Sequence, residues 1–220
     1  MAKSKSACGG AAVDIFGRVE ALARNLWWTW NSDAQRLFAA LDPVLWEATN
    51  RNPLEVLAQL TPERRTALAG DARFAAQLAQ CEAELQQYLR ARTWFQRTAS
   101  TAQKRTRIAY FCAEYALHES FPQYSGGLGV LAGDHLKSAS DLGVPLCAVG
   151  LLYRCGYYQQ SFDADGATRV AYPEYDFARL AVNDTGKRVA VPLGRRRVWA
   201  KIWQVQVGRV PLFMLDTDVP

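Results

Sequence analysis

The chain has 220 residues, half of them apolar, with 7 Trp, 9 Tyr and 9 Phe, enough for one large domain or two small ones with true cores. Basic residues outnumber acidic ones by 26 to 21, scattered apart from Arg195-Arg196-Arg197, and no nucleic-acid motif accompanies them, so that cluster reads as a solvated turn. No stretch reaches the roughly 18 to 20 consecutive apolar residues of a membrane helix. Five widely spaced cysteines (Cys8, Cys81, Cys112, Cys147, Cys155) without a Cys-x-x-Cys pair argue against a disulfide framework or a metal site and for reduced, cytoplasmic thiols.

The opening "MAKSKSACGGAAVDIFGRVE" carries early lysines but no apolar h-region, so it does not read as a secretory signal. Residues 1–12 are expected as a disordered tail. From there Val13, Phe16, Val19, Ala23, Leu26, Trp27 and Trp30 recur at three- and four-residue steps and predict one apolar helix face. On that spacing the Trp27-Trp28-Trp30 group packs a core rather than forming a sugar-stacking platform. Asp33 is expected to cap "AQRLFAAL". Asp42-Pro43, Asn52-Pro53 and Thr61-Pro62 each repeat a capping side chain followed by Pro at the first helical position. Asp71 opens the longest helix, with Phe74, Leu78, Cys81, Leu85 and Leu89 on one side. Short links between such helices predict a bundle over residues 13–103.

Near residue 104 the pattern changes. "TRIAYFCAEYAL" begins with an aromatic strand, a glycine loop follows, then a helix from about Leu128 to Leu142 and the apolar strand "VPLCAVGLLY". Strand, helix and strand in this order predict a βαβ unit and a parallel sheet, with Cys112 and Cys147 as small buried strand residues. Beyond it "YYQQSF" and "TRVAYP" flank Asp163-Ala164-Asp165-Gly166, a hairpin signal. "VAVPL", "VWAKIWQVQV" and "VPLFML" predict antiparallel additions to a parallel core over residues 104–220. A parallel sheet of two strands leaves edges and faces uncovered, so this second part is expected to be truncated, or to borrow a partner.

"SGGLG", at 125–129, is the stretch with chemical content. A helix N-terminus offers unpaired N–H groups and a positive dipole end, and glycines remove the Cβ atoms that block approach. The loop either contacts a phosphate or only turns the chain. Gly127 to Ala132 fits G-x-G-x-x-A, but "AVGLLYR" stands where the acidic residue of a dinucleotide site belongs, and no G-x-x-x-x-G-K-[ST] is present. Glu114 could orient His118 or hydrogen-bond loop amides, or be a plain surface carboxylate. Asp134 complements the helix dipole, and Lys137 with Asp141 reads as an exposed pair.

The run "IAYFCAEYALHESFPQYSGGLGVLAGDHLKSASDLGVPLCAVGLLYRCGYYQQ" resembles the N-terminal catalytic domain of bacterial α-glucan (glycogen/maltodextrin) phosphorylases. "ARNLWWTWNSDAQRLFAALDPVLWEATNRNPLEVLAQL" resembles the helical segment that precedes it in the shorter members, and "VWAKIWQVQVGRVPLFMLDTDVP" continues the match. The resemblance implies an α/β chain: an all-α segment, then part of a Rossmann-like N-terminal domain of glycosyltransferase-B architecture with antiparallel strand additions. It implies cleavage of terminal α-1,4-glucosyl units by inorganic phosphate to give glucose 1-phosphate, with pyridoxal 5′-phosphate as cofactor. The loop Gly126, Gly127, Leu128 and Gly129 would present N–H groups to the substrate phosphate, with Leu128 next to the glucose and Glu114 and His118 as cleft support. The Schiff-base lysine belongs to the missing C-terminal domain, so no catalytic residue is assigned here and the isolated chain is expected to be inactive; a homo-oligomer is allowed. The family usually reads Ala-Glu-Phe-Gly where this chain has Ala113-Glu114-Tyr115-Ala116, which excludes an easy positive φ at 116 and requires a partner for the Tyr115 hydroxyl. The alternatives are a silent glucan- or partner-binding module, and a nucleotide-sugar glucosyltransferase of the glycogen/starch synthase kind, whose lysine two residues before the paired glycines is here Tyr124.

Overall fold

Between residues 25 and 90, helices begin where a short polar side chain can accept a first-turn N–H. The computed structural model describes residues 8–219, which divide into two units, Met1–Ala91 and Arg92–Pro220. The first holds α1 (Cys8–Ala23), a 3-10 turn (Leu26–Trp30), α2 (Ser32–Ala39), α3 (Pro43–Ala48), α4 (Pro53–Gln59), α5 (Pro62–Ala69) and α6 (Ala72–Arg90). Asp42, Asn52 and Asp71 each accept from two first-turn N–H groups and Thr61 from one, with Pro at the first helical position of α3, α4 and α5.

Three local expectations are corrected. Helix α1 starts at Cys8, so residues 8–12 are helical rather than tail; residues 1–7 lie outside the described residues. The periodic face from Val13 to Trp30 is not one helix: α1 stops at Ala23, and the Asn25 side chain accepts from Trp27 N–H to start the 3-10 turn. Asn31, not Asp33, caps α2, accepting from the Ala34 N–H at 2.8 Å.

Trp27 and Trp28 are core, and Trp30 is half-buried. Trp28, 1% exposed, donates its indole N–H to the Ala23 carbonyl at 3.1 Å and meets Phe38 edge-on at 5.3 Å. Trp27 packs on Tyr88 at 5.9 Å. Phe74, Leu78, Cys81 and Leu85 bury one face of α6, which Arg18 of α1 grips through two hydrogen bonds to Glu82 (3.0 and 2.5 Å).

The second unit opens with α7 (Trp94–Thr98) and α8 (Thr101–Arg105), each started by a capping box, Thr93 with Gln96 and Ser100 with Gln103. The chain therefore divides after Ala91 rather than near residue 103, and these two short helices go with the sheet. Then come β1 (Ile108–Phe111), α9 (Gly127–Leu142), β2 (Leu146–Leu151), β3 (Gln159–Phe162), β4 (Thr168–Ala171), β5 (Asn183–Leu193), β6 (Arg196–Val207) and β7 (Val210–Asp216). The sheet runs β1-β2-β7-β6-β5, while β3–β4 forms a separate antiparallel ribbon about the expected Asp163–Gly166 turn. β1, β2 and β7 are parallel, and β6 and β5 run antiparallel to their neighbours. The parallel core thus has three strands rather than two, because β7 buries Val210, Leu212, Met214 and Asp216 alternately and pairs Leu212 with Ala148. Cys147 is half-buried within β2, and Cys112 is half-buried just past the end of β1. Arg195, Arg196 and Arg197 are exposed where β5 turns into β6. Gly143 ends α9 at φ +71, a left-handed conformation in which an added Cβ would fall 2.1 Å from the Thr93 hydroxyl. Among the described residues no helix is long and apolar enough to cross a membrane.

Candidate functional site

Side chains cap every helix from α2 to α8, but none caps α9. Gly126 precedes it in extended conformation, and the first intrahelical bond runs from Val130 N–H to the Gly126 carbonyl at 3.2 Å. The N–H groups of Gly127, Leu128 and Gly129 therefore lie ahead of the helical ladder. Around Gly126 and Gly127 a Cβ would meet nothing within 4 Å, and neither has a positive φ. Nothing in the fold of this chain requires glycine at these two positions.

Gly129 and Gly133 answer differently. A Cβ on Gly129 would fall 2.5 Å from the Tyr124 Cβ and 3.2 Å from the Glu114 Cβ, and one on Gly133 would fall 2.0 Å from the Ala116 carbonyl oxygen. One turn apart on α9, they let the helix lie directly on the 113–124 segment, where Ala116 N–H donates to the Gly129 carbonyl at 2.9 Å. So one glycine cluster divides into two that seat the helix and two that leave backbone bare. Leu128 is 57% exposed beside them.

Glu114 is tied to the start of the loop. Its carboxylate accepts from the Ser125 N–H (3.2 Å) and the Ser125 hydroxyl (3.3 Å), tying down the residue before the paired glycines. It does not orient His118, whose Nδ1 accepts from the Ser120 N–H at 3.1 Å and lies 2.9 Å from the Ser120 hydroxyl. His118 therefore belongs to a local turn, closed by Phe121 N–H on its carbonyl.

Tyr115 is fully buried, and its hydroxyl lies within 3.1 Å of both the Tyr110 and Val149 carbonyls, at β1 and β2. Burial holds its pKa well above the usual phenol value. The substitution at 115 thus has its polar partners, and Ala116 has no positive φ; only Asn50 and Arg51 do among the described non-glycine residues. Gln123, which the sequence reading passed over, is fully buried: its amide donates to the Tyr153 carbonyl (3.0 Å) and accepts from the Tyr153 N–H (2.8 Å). This pair fastens the segment before the glycines to the end of β2.

Beside the loop lies a cleft of 200 Å³ lined by Glu114, Tyr124, Ser125, Tyr153, Cys155 and Tyr157 among others, with no lysine or arginine. Burial, then the Glu114 charge, raise the Tyr153 phenol pKa. Further along α9 two expectations are corrected. Asp134 is the eighth residue of the helix, too far from its start to complement the dipole. Lys137 is half-buried rather than exposed, and desolvation lowers its pKa against the opposing pull of Asp134.

Comparison with known proteins follows the same residues. The family model described as protein of unknown function (DUF3417) matches residues 15–121 and stops just short of the loop. Glycogen phosphorylase of Mycobacterium tuberculosis is 47% identical over 213 residues, 92% of this chain and 25% of that protein. Along nearly its whole length the chain is homologous to α-glucan phosphorylases. Maltodextrin phosphorylase of Thermococcus litoralis (40% identical over 206 residues, 90% of the chain and 24% of that protein) and glycogen phosphorylase of Aquifex aeolicus (35% over 208 residues, 90% and 28%) extend the relation. The chain spans about a quarter of the length of the curated relatives it matches.

Proposed function

We propose that the chain is an N-terminal portion of an α-1,4-glucan phosphorylase and that its α9 N-terminus receives the phosphate. The reading is of part of the N-terminal domain of a glycosyltransferase-B enzyme, the three parallel strands and α9 forming the Rossmann-like part. The observation that carries it is the pair Gly126–Gly127, bare at an uncapped helix start with no packing or dihedral reason to be glycine. Backbone N–H groups there stabilise a phosphate oxyanion through fixed dipoles that need no reorganisation. Leu128 offers an apolar surface to the adjoining sugar ring, and Glu114, through Ser125, holds the loop in its receiving shape.

Pyridoxal 5′-phosphate, which the family implies, would supply the acid–base phosphate for the reaction. The cleft beside the loop contains no lysine to bind it covalently and no cation to neutralise it, so these residues do not fit the cofactor and no step is assigned to it here. The nucleotide-sugar alternative finds Tyr124 where it needs a diphosphate-binding lysine.

Titrating the isotopically labelled chain with orthophosphate, followed by amide resonances, tests the proposal. Shifts are expected at Gly126, Gly127, Leu128 and Gly129; saturation elsewhere with these four unmoved would refute it. The chain alone is expected to release no glucose 1-phosphate from maltodextrin.

A further inference from the structure

The β3–β4 ribbon carries an aromatic face that the glycine-loop site does not use. Its register sets Gln160 opposite Val170 and Phe162 opposite Thr168, so these four share one face. Tyr158 and Tyr172 continue that pairing, their ring centroids 6.2 Å apart. Phe162, Val170 and Tyr172 are 76%, 50% and 68% exposed. Arg169, opposite Ser161, lies on the other face and pairs with Asp163 at 3.1 Å, leaving the aromatic face uncharged. A lone two-stranded ribbon is marginal in water, and contiguous apolar surface of this kind marks a binding face.

The ribbon is rooted at the rim of the cleft. Tyr157, which lines the cleft, stacks on Tyr158 at 4.5 Å and 29°. The return strand is tied back by the Cys155–Glu174 bridge and by Tyr175 N–H on the Arg154 carbonyl at 2.8 Å. The Tyr175 ring closes over Gly156, 2.4 Å from where a Cβ would stand. Ring contacts therefore run from Tyr157 at the cleft through Tyr158 to Tyr172 on the ribbon.

We propose that this face is a docking track for a neutral α-glucan chain whose end reaches the cleft. The rings offer flat apolar surface to the CH faces of sugar rings, while the Gln160 amide, the Thr168 hydroxyl and the phenols supply donors and acceptors for hydroxyl groups. An uncharged face suits an uncharged polymer. The inference rests on the glucan reading above for the nature of its ligand, but not on phosphate at the glycine loop.

The test titrates the chain with maltoheptaose and maps the shifts. Resonances of Tyr158, Gln160, Phe162 and Tyr172 are expected to move, and the double variant Phe162→Ser/Tyr172→Ser to bind about ten-fold more weakly. Gln159→Ser, on the opposite face, should leave the affinity unchanged. Orthophosphate shifts at Gly126–Gly129 should persist in the double variant, so the two readings fail independently. Shifts confined to the cleft, an unaltered affinity in the double variant, or a sedimenting dimer that those substitutions dissolve would overturn the proposal, the last by giving the face to a second copy.

Discussion

Replacing Gly133 by Ala and, separately, Gly127 by Ala asks whether two glycines of one helix serve different ends. At 133 the new methyl would stand 2.0 Å from the Ala116 carbonyl oxygen, 1 Å short of the 3.0 Å that real Cβ contacts respect. The obstacle is backbone, so α9 must retreat, at a cost of about 1–3 kcal/mol for overpacking. Retreat also strains the Ala116 N–H to Gly129 carbonyl bond, worth about 1 kcal/mol. Better helix propensity returns about 1 kcal/mol, leaving a net loss of about 1–3 kcal/mol. At 127 the methyl meets nothing, so only the propensity gain remains, a few tenths to about 1 kcal/mol. Native-state amide exchange in α9 and β2 measures this second unit directly. The expected result is faster exchange in Gly133→Ala, equal or slower exchange in Gly127→Ala, and weaker orthophosphate binding only in the latter. If Gly127→Ala unfolds as readily as Gly133→Ala, or binds phosphate unimpaired, the division of labour among the glycines is wrong.

Glu114→Ala, which removes both acceptors of Ser125, should weaken orthophosphate binding several-fold in the amide titration while leaving the thermal midpoint nearly unchanged. Gln123→Leu strands the Tyr153 N–H and carbonyl and should cost about 2–4 kcal/mol in urea unfolding. Tyr115→Phe removes a buried hydroxyl from the carbonyls of Tyr110 and Val149 and should cost about 1–2 kcal/mol in the same assay. Burial, aided by the Glu84 carboxylate, pushes the Cys81 thiol from 9.0 up to about 11. The unfolded chain therefore releases this proton first, and the stability it represents is full below pH 9 and lost as pH rises through 11, on the order of 2 kcal/mol. The alkaline fall in urea stability should be shallower in Cys81→Ala than in the parent chain.

What could be read in the sequence was whatever one residue and its near neighbours decide alone. Asp42-Pro43, Asn52-Pro53 and Thr61-Pro62 start helices because cap and proline act locally. The choice of Asn31 over Asp33 was not legible: both can cap, and the decision falls to the 3-10 turn ending at Trp30. Nor was the direction of β7, since "VPLFML" suits a parallel or an antiparallel neighbour and only the pairing of Leu212 with Ala148 selects one. At the site, the glycine loop and Glu114 stood out by type and spacing. Which glycines are packed and which are bare depends on Tyr124, Glu114 and Ala116 lying across the helix, and no local pattern carries that. Gln123 was invisible because a buried amide clamp looks, in sequence, like any polar loop residue.

The parallel seam between β2 and β7 joins residues such as Ala148 and Leu212, with the ribbon and the β5–β6 hairpin strung between them. Antiparallel β5, β6 and β7 can zip from their turns by contacts near in sequence, whereas the seam must first close a long loop of chain. On a ribosome the hairpins can therefore ripen early, while α9 and β2 wait, their apolar faces open, until β7 has emerged. That interval, rather than the finished molecule, is when this unit is most exposed to aggregation and most in need of a chaperone.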